Sequence, residues 1–301
     1  MHSDTTSARP SDPAADLTAG ADTAMTTPTC ATATAISTSA RRRNPQAHSV
    51  ADGPPRIEGA GTPESAWCAW PGLAGVPRLS LDTWLPLGAR LVVVAPHPDD
   101  EILAAGGLIS RHAAGGGDCL VVAVTDGEAS HPGASGWTPV ELARTRRAES
   151  TEGLRALGLR RAEMARLGLP DGDVVAHRTQ LTAGLALVLR PSDVVVTTWR
   201  ADGHPDHEAV GEATAGVCDH LGCRLVEAPV WMWHWAAPGD ARVPWERLAA
   251  FDLDDASVDH KRQALAAHAS QLTPRDAPDT TPVLGGAIVE RAARRTEFFF
   301  V

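Results

Sequence analysis

Tyrosine is missing from the 301-residue chain and lysine occurs once, at Lys261, so arginine supplies nearly all the positive charge. No side chain here can offer a phenol. The five cysteines, Cys30, Cys68, Cys119, Cys218 and Cys223, include no C-x-x-C pair. That excludes a thiolate zinc cluster, and the odd number fits no closed disulfide framework. A reducing, cytoplasmic setting is the resulting expectation. No apolar run approaches the ~20 residues that span a bilayer. Arg41-Arg42-Arg43 is followed by Asn44-Pro45-Gln46, where a twin-arginine export signal needs an apolar stretch. The formal charge of −10 disfavours nucleic acid and anionic membrane surfaces as partners, since both are polyanions. No G-x-G-x-x-G is present, and Gly106-Gly107 falls in a helical stretch rather than at a strand-to-helix turn, which disfavours hydride-transfer chemistry.

What is present divides into three parts. Residues 1–60 are rich in Ala, Thr, Ser, Pro and Asp, with too few large apolar side chains to offset the entropy of ordering a backbone, and are expected to be a disordered extension. Residues 61–89 bring Trp and Leu among prolines and read as a lead-in segment. A single domain is expected over 90–301. Continuous apolar runs at 91–95, 119–124, 194–198 and 225–231 predict buried strands, with a weaker candidate at 164–167. Between them, Ile102, Ala105 and Ile109 recur at helical spacing. Thr138-Pro139-Val140-Glu141 makes a capping box that opens a helix to about 157. Further helices are predicted around 181–188, 206–221 and 256–271. Apolar strands alternating with helices give a Rossmann-like α/β fold, a mainly parallel sheet covered on both faces. Ligands in such sheets bind at the carboxyl ends of the strands.

Two nearly identical segments stand at those ends: His97-Pro98-Asp99-Asp100-Glu101 and His204-Pro205-Asp206-His207-Glu208. Proline disfavours α geometry in the residue before it, so His97 and His204 should be extended, while Pro98 and Pro205 suit a first helical turn. The acidic residues then lie where the helix dipole favours carboxylates. His97 and Asp100, three apart, can point at one cation across that turn, and His207 can reach it from the other strand end. Three protein ligands and a water is the arrangement of a catalytic zinc; a structural zinc uses all four positions. Asp99 is the expected general base toward that water as it attacks a carbonyl. His204 is placed to stabilise the oxyanion and protonate the leaving amine, with Asp206 holding it in a cationic or oriented form. Glu101 and Glu208 read as supporting or first-turn charges. A lone His-Pro-Asp is usually only a loop before a helix; two of them, each after an apolar strand and each with a ligand type three residues on, make coincidence a poor account.

The segment 96–101 resembles the signature of the PIG-L (LmbE-like) N-acetylglucosaminyl deacetylase family, and 204–207 its second metal motif. Thr125-Asp126-Gly127-Glu128, Arg146 with Glu149, and Leu169-Pro170-Asp171-Gly172 resemble family segments in the same order, from about residue 91 onward. The resemblance implies zinc-dependent hydrolysis of an N-acyl group, usually acetyl, from an amino sugar such as an N-acetylglucosamine conjugate. It implies the same metal ligands, the same base at Asp99 and the same electrophile at His204. Some members use a tyrosine in the loop before the second motif. Here Asp202 stands in that loop, as a candidate substrate residue beside Arg146.

Arg146 and Glu149, at i and i+3, are also readable as a surface pair. Trp231, Trp233, Trp235 and Trp245 could stack on a sugar, although alternation of the first three at strand period favours core or subunit contacts. His268, Ser270 and Gln271 read most simply as a solvated helix end, and His112, His131, His177, His220 and His260 as ordinary polar residues. The expected cofactor is Zn²⁺, with iron or cobalt as replacements in vitro. The expected partner is a small-molecule amino-sugar conjugate, and association with a second copy of the chain stays open. Two other classes stay open: a metal-dependent phosphoesterase, and a metal-binding regulatory or binding module without turnover.

Overall fold

Why so many runs are apolar throughout follows from the sheet they build. The computed structural model describes residue 57 and residues 59–301 apart from 87, 134–135, 160–162 and 275–280. The extension expected over 1–60 thus lies almost wholly outside the described residues. Three short helices come first, α1 (Glu64–Ala69), α2 (Pro71–Ala74) and α3 (Leu81–Trp84). Strands and helices then alternate: β1 (Leu91–Ala95), α4 (Asp100–Ala114), β2 (Cys119–Ala123), α5 (Pro139–Ala156), β3 (Glu163–Arg166), α6 (Arg178–Val188), β4 (Val194–Thr198), α7 (Pro205–Leu221) and β5 (Arg224–Ala228). After these come α8 (Met232–Trp235), β6 (Leu248–Asp252), α9 (Asp255–Ala266), α10 (Ala269–Leu272), α11 (Gly286–Ala292) and β7 (Thr296–Phe300).

The seven strands form one sheet of order β3-β2-β1-β4-β5-β7-β6. The first five are parallel, and β7 runs antiparallel to both β5 and β6. The expected Rossmann-like, mainly parallel sheet is therefore present, extended by an antiparallel edge. Alternate residues of β1 enter different cores: Leu91 and Val93 pack with α4 and α9 residues such as Leu108 and Leu265, and Val92 and Val94 pack with Leu181, Leu185 and Val210 of α6 and α7. Side chains alternate across a strand, so a strand covered on both faces must be apolar at every position. A third core gathers Trp67, Trp199, Trp233 and Phe300. There the Trp67 indole, fully buried, donates to the Trp233 carbonyl at 3.0 Å.

The capping box forms as predicted, with Thr138 accepting from the Glu141 N–H and Glu141 accepting from the Thr138 N–H. Three expectations change. The strand predicted through 231 ends at Ala228, because Pro229 follows and the next residues turn into α8. Consequently Trp233 and Trp235 lie on a helical turn and not at strand period. The helix predicted over 256–271 breaks at His268, the N-cap of α10. No helix among the described residues is long and apolar enough to cross a membrane.

Strands β1 and β4 are neighbours, and the chain leaves them toward opposite sides of the sheet: β1 continues through α4 to β2, and β4 through α7 to β5. The crevice between their carboxyl ends is where such a topology admits a ligand. Both histidine motifs start there.

Candidate active site

The two motifs, alike in sequence, fold differently. In the second, His204 is extended (φ −108°, ψ 126°) and Pro205 opens α7 directly, as the proline argument predicts. In the first, Pro98 and Asp99 form a turn ahead of α4, and Asp99 takes φ 125°, the one positive value among described non-glycine residues. Pro98 is thus outside the helix, contrary to expectation. The turn separates two consecutive carboxylates, sending Asp100 toward the histidines and Asp99 toward Arg146.

Asp100 lies at the centre. Its Oδ2 is 3.2 Å from His97 Nδ1 and 3.2 Å from His207 Nε2. One donor atom from each of His97, Asp100 and His207 lies within 4.8 Å of the others. Each imidazole is held from behind by a carboxylate: His97 Nε2 is 3.1 Å from Asp171 Oδ1 and 3.2 Å from Asp206 Oδ2, and His207 Nδ1 is 2.9 Å from Asp202 Oδ2. Such pairs fix the tautomer and leave the other nitrogen free for a cation. His207 Nε2 is buried, and its contact with Asp100 Oδ2 at 3.2 Å lacks hydrogen-bond geometry, which fits an atom that shares a cation with that carboxylate.

A second set, His97, His204 and Asp206, is also close enough to share a cation. It is the weaker site. Asp206 already accepts the Gly172 N–H at 2.8 Å and the Val174 N–H at 3.2 Å, and His204 Nδ1 accepts the Asp206 N–H at 3.2 Å. Both sets need His97, so among the described residues no independent second site faces the first.

Electrostatics fit a cation at the first set. Burial opposes charge on the imidazoles, yet Asp100 with Asp202 raises His207 to about 9, and Asp100, Asp171 and Asp206 lift His97 well above its ordinary value. Burial likewise opposes the Asp100 carboxylate, but His207 and His97 hold its pKa well below the usual range. The cluster draws positive charge to the place where a divalent ion would supply it, displacing those protons. Burial, aided by the neighbouring Asp100 and Glu101 and opposed by Arg146, raises Asp99 to about 7. Burial followed by the charges of His207 and His97 lowers His204 to about 3.

A cavity of about 230 Å³ opens beside these groups, lined by His97, Asp99, Asp100, Arg146, Asp171, His204, Trp231 and Gln271 among others. Of the four tryptophans weighed for sugar contact only Trp231 lines it; Trp233, Trp235 and Trp245 pack into the third core. Arg146 is no surface residue: it is buried and donates to Gly127 O, Pro98 O and Asp99 Oδ2 at 2.9, 2.7 and 3.0 Å. Glu149, also buried, accepts from the Ser270 N–H and hydroxyl.

Other expected roles are corrected. Asp202 is fully buried, and its oxygens accept the N–H groups of Val230, Trp231 and Met232 besides facing His207, so it is turned away from the cavity. The Asp206 carboxylate contacts His97 at 3.2 Å, and it is the Asp206 backbone N–H that meets His204 Nδ1; the Asp206 charge still favours a cationic His204, but burial with the charges of His207 and His97 outweighs it. His268, Ser270 and Gln271 are buried instead of solvated. His131, expected to be an ordinary polar residue, is buried against the Ser270 carbonyl. Asp171, offered by the sequence only within a segment that resembles the family's and given no role, stands at the site against His97 Nε2.

The 1D-myo-inositol 2-acetamido-2-deoxy-α-D-glucopyranoside deacetylase of Rhodococcus jostii (strain RHA1) is 30% identical over 240 residues, which cover 61% of this chain and 82% of that one. The chain belongs to the PIG-L family. The family's sequence profile, GlcNAc-PI de-N-acetylase, matches residues 92–218, the stretch from β1 into α7 that carries both motifs. The corresponding deacetylase of Rhodococcus opacus (strain B4) is 31% identical over 242 residues, with the same 61% and 82% coverage. Among solved structures, the A40926 pseudoaglycone deacetylase Dbv21 superposes with a TM-score of 0.52 at 23% identity, over 70% of this chain and 96% of that one, and shares the fold.

Proposed function

We propose that this protein is a zinc-dependent N-deacetylase of a small amino-sugar conjugate, of the kind named for its Rhodococcus relatives, in which an acetamido-glucose is joined to inositol. One observation carries the reading: the donor atoms of His97, Asp100 and His207 converge within 4.8 Å at the rim of a cavity that also holds Asp99 and His204. These three residues would hold the ion, with Asp171, Asp206 and Asp202 fixing the imidazoles. When bound, zinc supplies Lewis acidity toward a carbonyl and lowers the pKa of water.

The chain's own groups do the rest. Asp99, oriented by Arg146, takes a proton from the attacking water on its carboxylate and passes it to the leaving nitrogen, so that acetate and a free amine result. His204 receives the Asp206 N–H on Nδ1, which puts its own proton on Nε2, a donor for the oxygen that gains negative charge. This chain has no tyrosine to share that task. A two-metal phosphoesterase is less well supported, since both candidate sets compete for His97.

The test is acetate release from 1D-myo-inositol 2-acetamido-2-deoxy-α-D-glucopyranoside and a panel of N-acetylglucosamine conjugates. Zinc-loaded wild type should release acetate, and Asp99→Ala should lose roughly 10²- to 10⁴-fold in kcat, the range for a general base. Acetate release that survives exhaustive chelation, or that Asp99→Ala leaves intact, defeats the proposal.

A further inference from the structure

We infer that Glu101 and Ser150 are positioning residues: together they hold the Asp99 backbone in its left-handed conformation and so aim the carboxylate into the cavity. The inference rests on the reading of Asp99 as the base.

Two neighbouring carboxylates must face different ways here, Asp100 toward the histidines and Asp99 toward Arg146. The second motif shows what the sequence does by default, a helix that starts at the proline. The first motif departs from it by one residue, Asp99 at φ 125°, a conformation only glycine adopts freely. Strain of this kind persists where surrounding structure over-determines it. The determinant on the backbone is Glu101, whose Oε2 accepts the Asp99 N–H at 3.0 Å. Glu101 is itself pinned, because its Oε1 accepts the Ser150 hydroxyl at 2.6 Å. Both are buried, 1% and 2% exposed, so water cannot replace either partner.

The support comes from a single helix face. Arg146 and Ser150 are one turn apart on α5 and grip the turn at two points. Arg146 takes the Pro98 carbonyl and the Asp99 carboxylate, whereas Ser150 acts through Glu101 on the Asp99 N–H. Removing the serine hydroxyl strands Glu101 Oε1 in a dry site; the carboxylate turns away, the Asp99 N–H loses its acceptor, and φ relaxes to a negative value that swings the side chain off its line.

Crystal structures and kinetics of zinc-loaded Ser150→Ala, Ser150→Thr and Glu101→Met test this. In Ser150→Ala, Asp99 should move to negative φ, and kcat should fall roughly tenfold to a hundredfold, the cost of a small misplacement, with KM within about twofold. Ser150→Thr, which keeps the hydroxyl, should restore both. Asp99 still near 125° in Ser150→Ala, or kcat unchanged there, overturns the inference, as does a kcat loss with φ unmoved. Should Ser150→Ala fail to fold, Glu101→Met, which keeps the bulk but has no carboxylate to accept the Asp99 N–H, decides by the same two readings against wild type. A wild type that releases no acetate would sink the deacetylase reading, while the conformation of Asp99 in the variants would still decide this one.

Discussion

Asp202 decides which nitrogen of His207 is free. Its Oδ1 accepts the N–H groups of Val230 and Met232, and its Oδ2 accepts the Trp231 N–H and faces His207 Nδ1. In Asp202→Asn one oxygen becomes an NH₂ that meets both the Trp231 N–H and His207 Nδ1. The imidazole can then only accept at Nδ1, which puts its proton on Nε2, the atom needed for the metal. Zinc affinity should therefore fall roughly 10- to 100-fold, the usual effect of losing a residue that orients a ligand. Competition with a chromophoric chelator measures it, and unaltered affinity would show that Asp202 does not set the tautomer. As candidate ligands, His97, Asp100 and His207 were legible in the sequence because ligand types recur at fixed spacing after two apolar strands. Asp202 was legible only as a polar residue near the site, since its partners lie in a loop that returns from the next strand. Ser150 carried no signal: one serine on an amphipathic helix looks like any other until Glu101 is seen opposite.

At the level of elements, the second motif depends on how closely α7 approaches β4. Gly211 makes that approach possible: a Cβ there would sit 2.6 Å from the Thr198 carbonyl oxygen and 3.0 Å from the Arg200 N–H nitrogen, both backbone atoms that cannot rotate aside. Gly211→Ala must push the helix off the strand end. Overpacking of this sort costs about 1–3 kcal/mol, and because His207 lies one turn earlier on α7, the loss should appear in zinc affinity as well as in Tm. An alanine variant with wild-type Tm and zinc affinity would show that the strand end yields more easily than its geometry suggests. Sequence patterning located β1, β2, β4 and the helices between them because a strand buried on both faces needs an unbroken apolar run. It missed β6 and β7. The first, Leu-Ala-Ala-Phe-Asp, has small residues without β-branching, and the second is an antiparallel edge-side strand, Thr-Glu-Phe-Phe-Phe, whose Glu297 is buried by pairing with Lys261 at 2.6 Å. Only the fold brings that buried pair together.

For the whole molecule, zinc should act as a clasp between halves of the sheet. His97 and Asp100 follow β1, and His207 follows β4, so an ion bound to all three joins segments 110 residues apart in sequence, numbering from His97 to His207, that the unfolded chain would not bring together. A ligand that binds the native state alone stabilises it by RT ln(1 + [L]/Kd), about 2.7 kcal/mol at a hundredfold excess over Kd. For a domain of this size each kcal/mol corresponds to roughly 2–4 °C in Tm, so saturation should raise Tm by about 5–10 °C over the chelated protein. Tm should keep rising with the logarithm of free zinc above Kd, which distinguishes linkage from a nonspecific salt effect. His207→Ala keeps His97, Asp100 and the second candidate set but loses the donor contributed by β4 and α7. Its Tm should be nearly independent of zinc in differential scanning calorimetry. A zinc-dependent rise in His207→Ala as large as in wild type would place the ion on His97, His204 and Asp206 instead, and the clasp across β1 and β4 would then have to be rebuilt around His204.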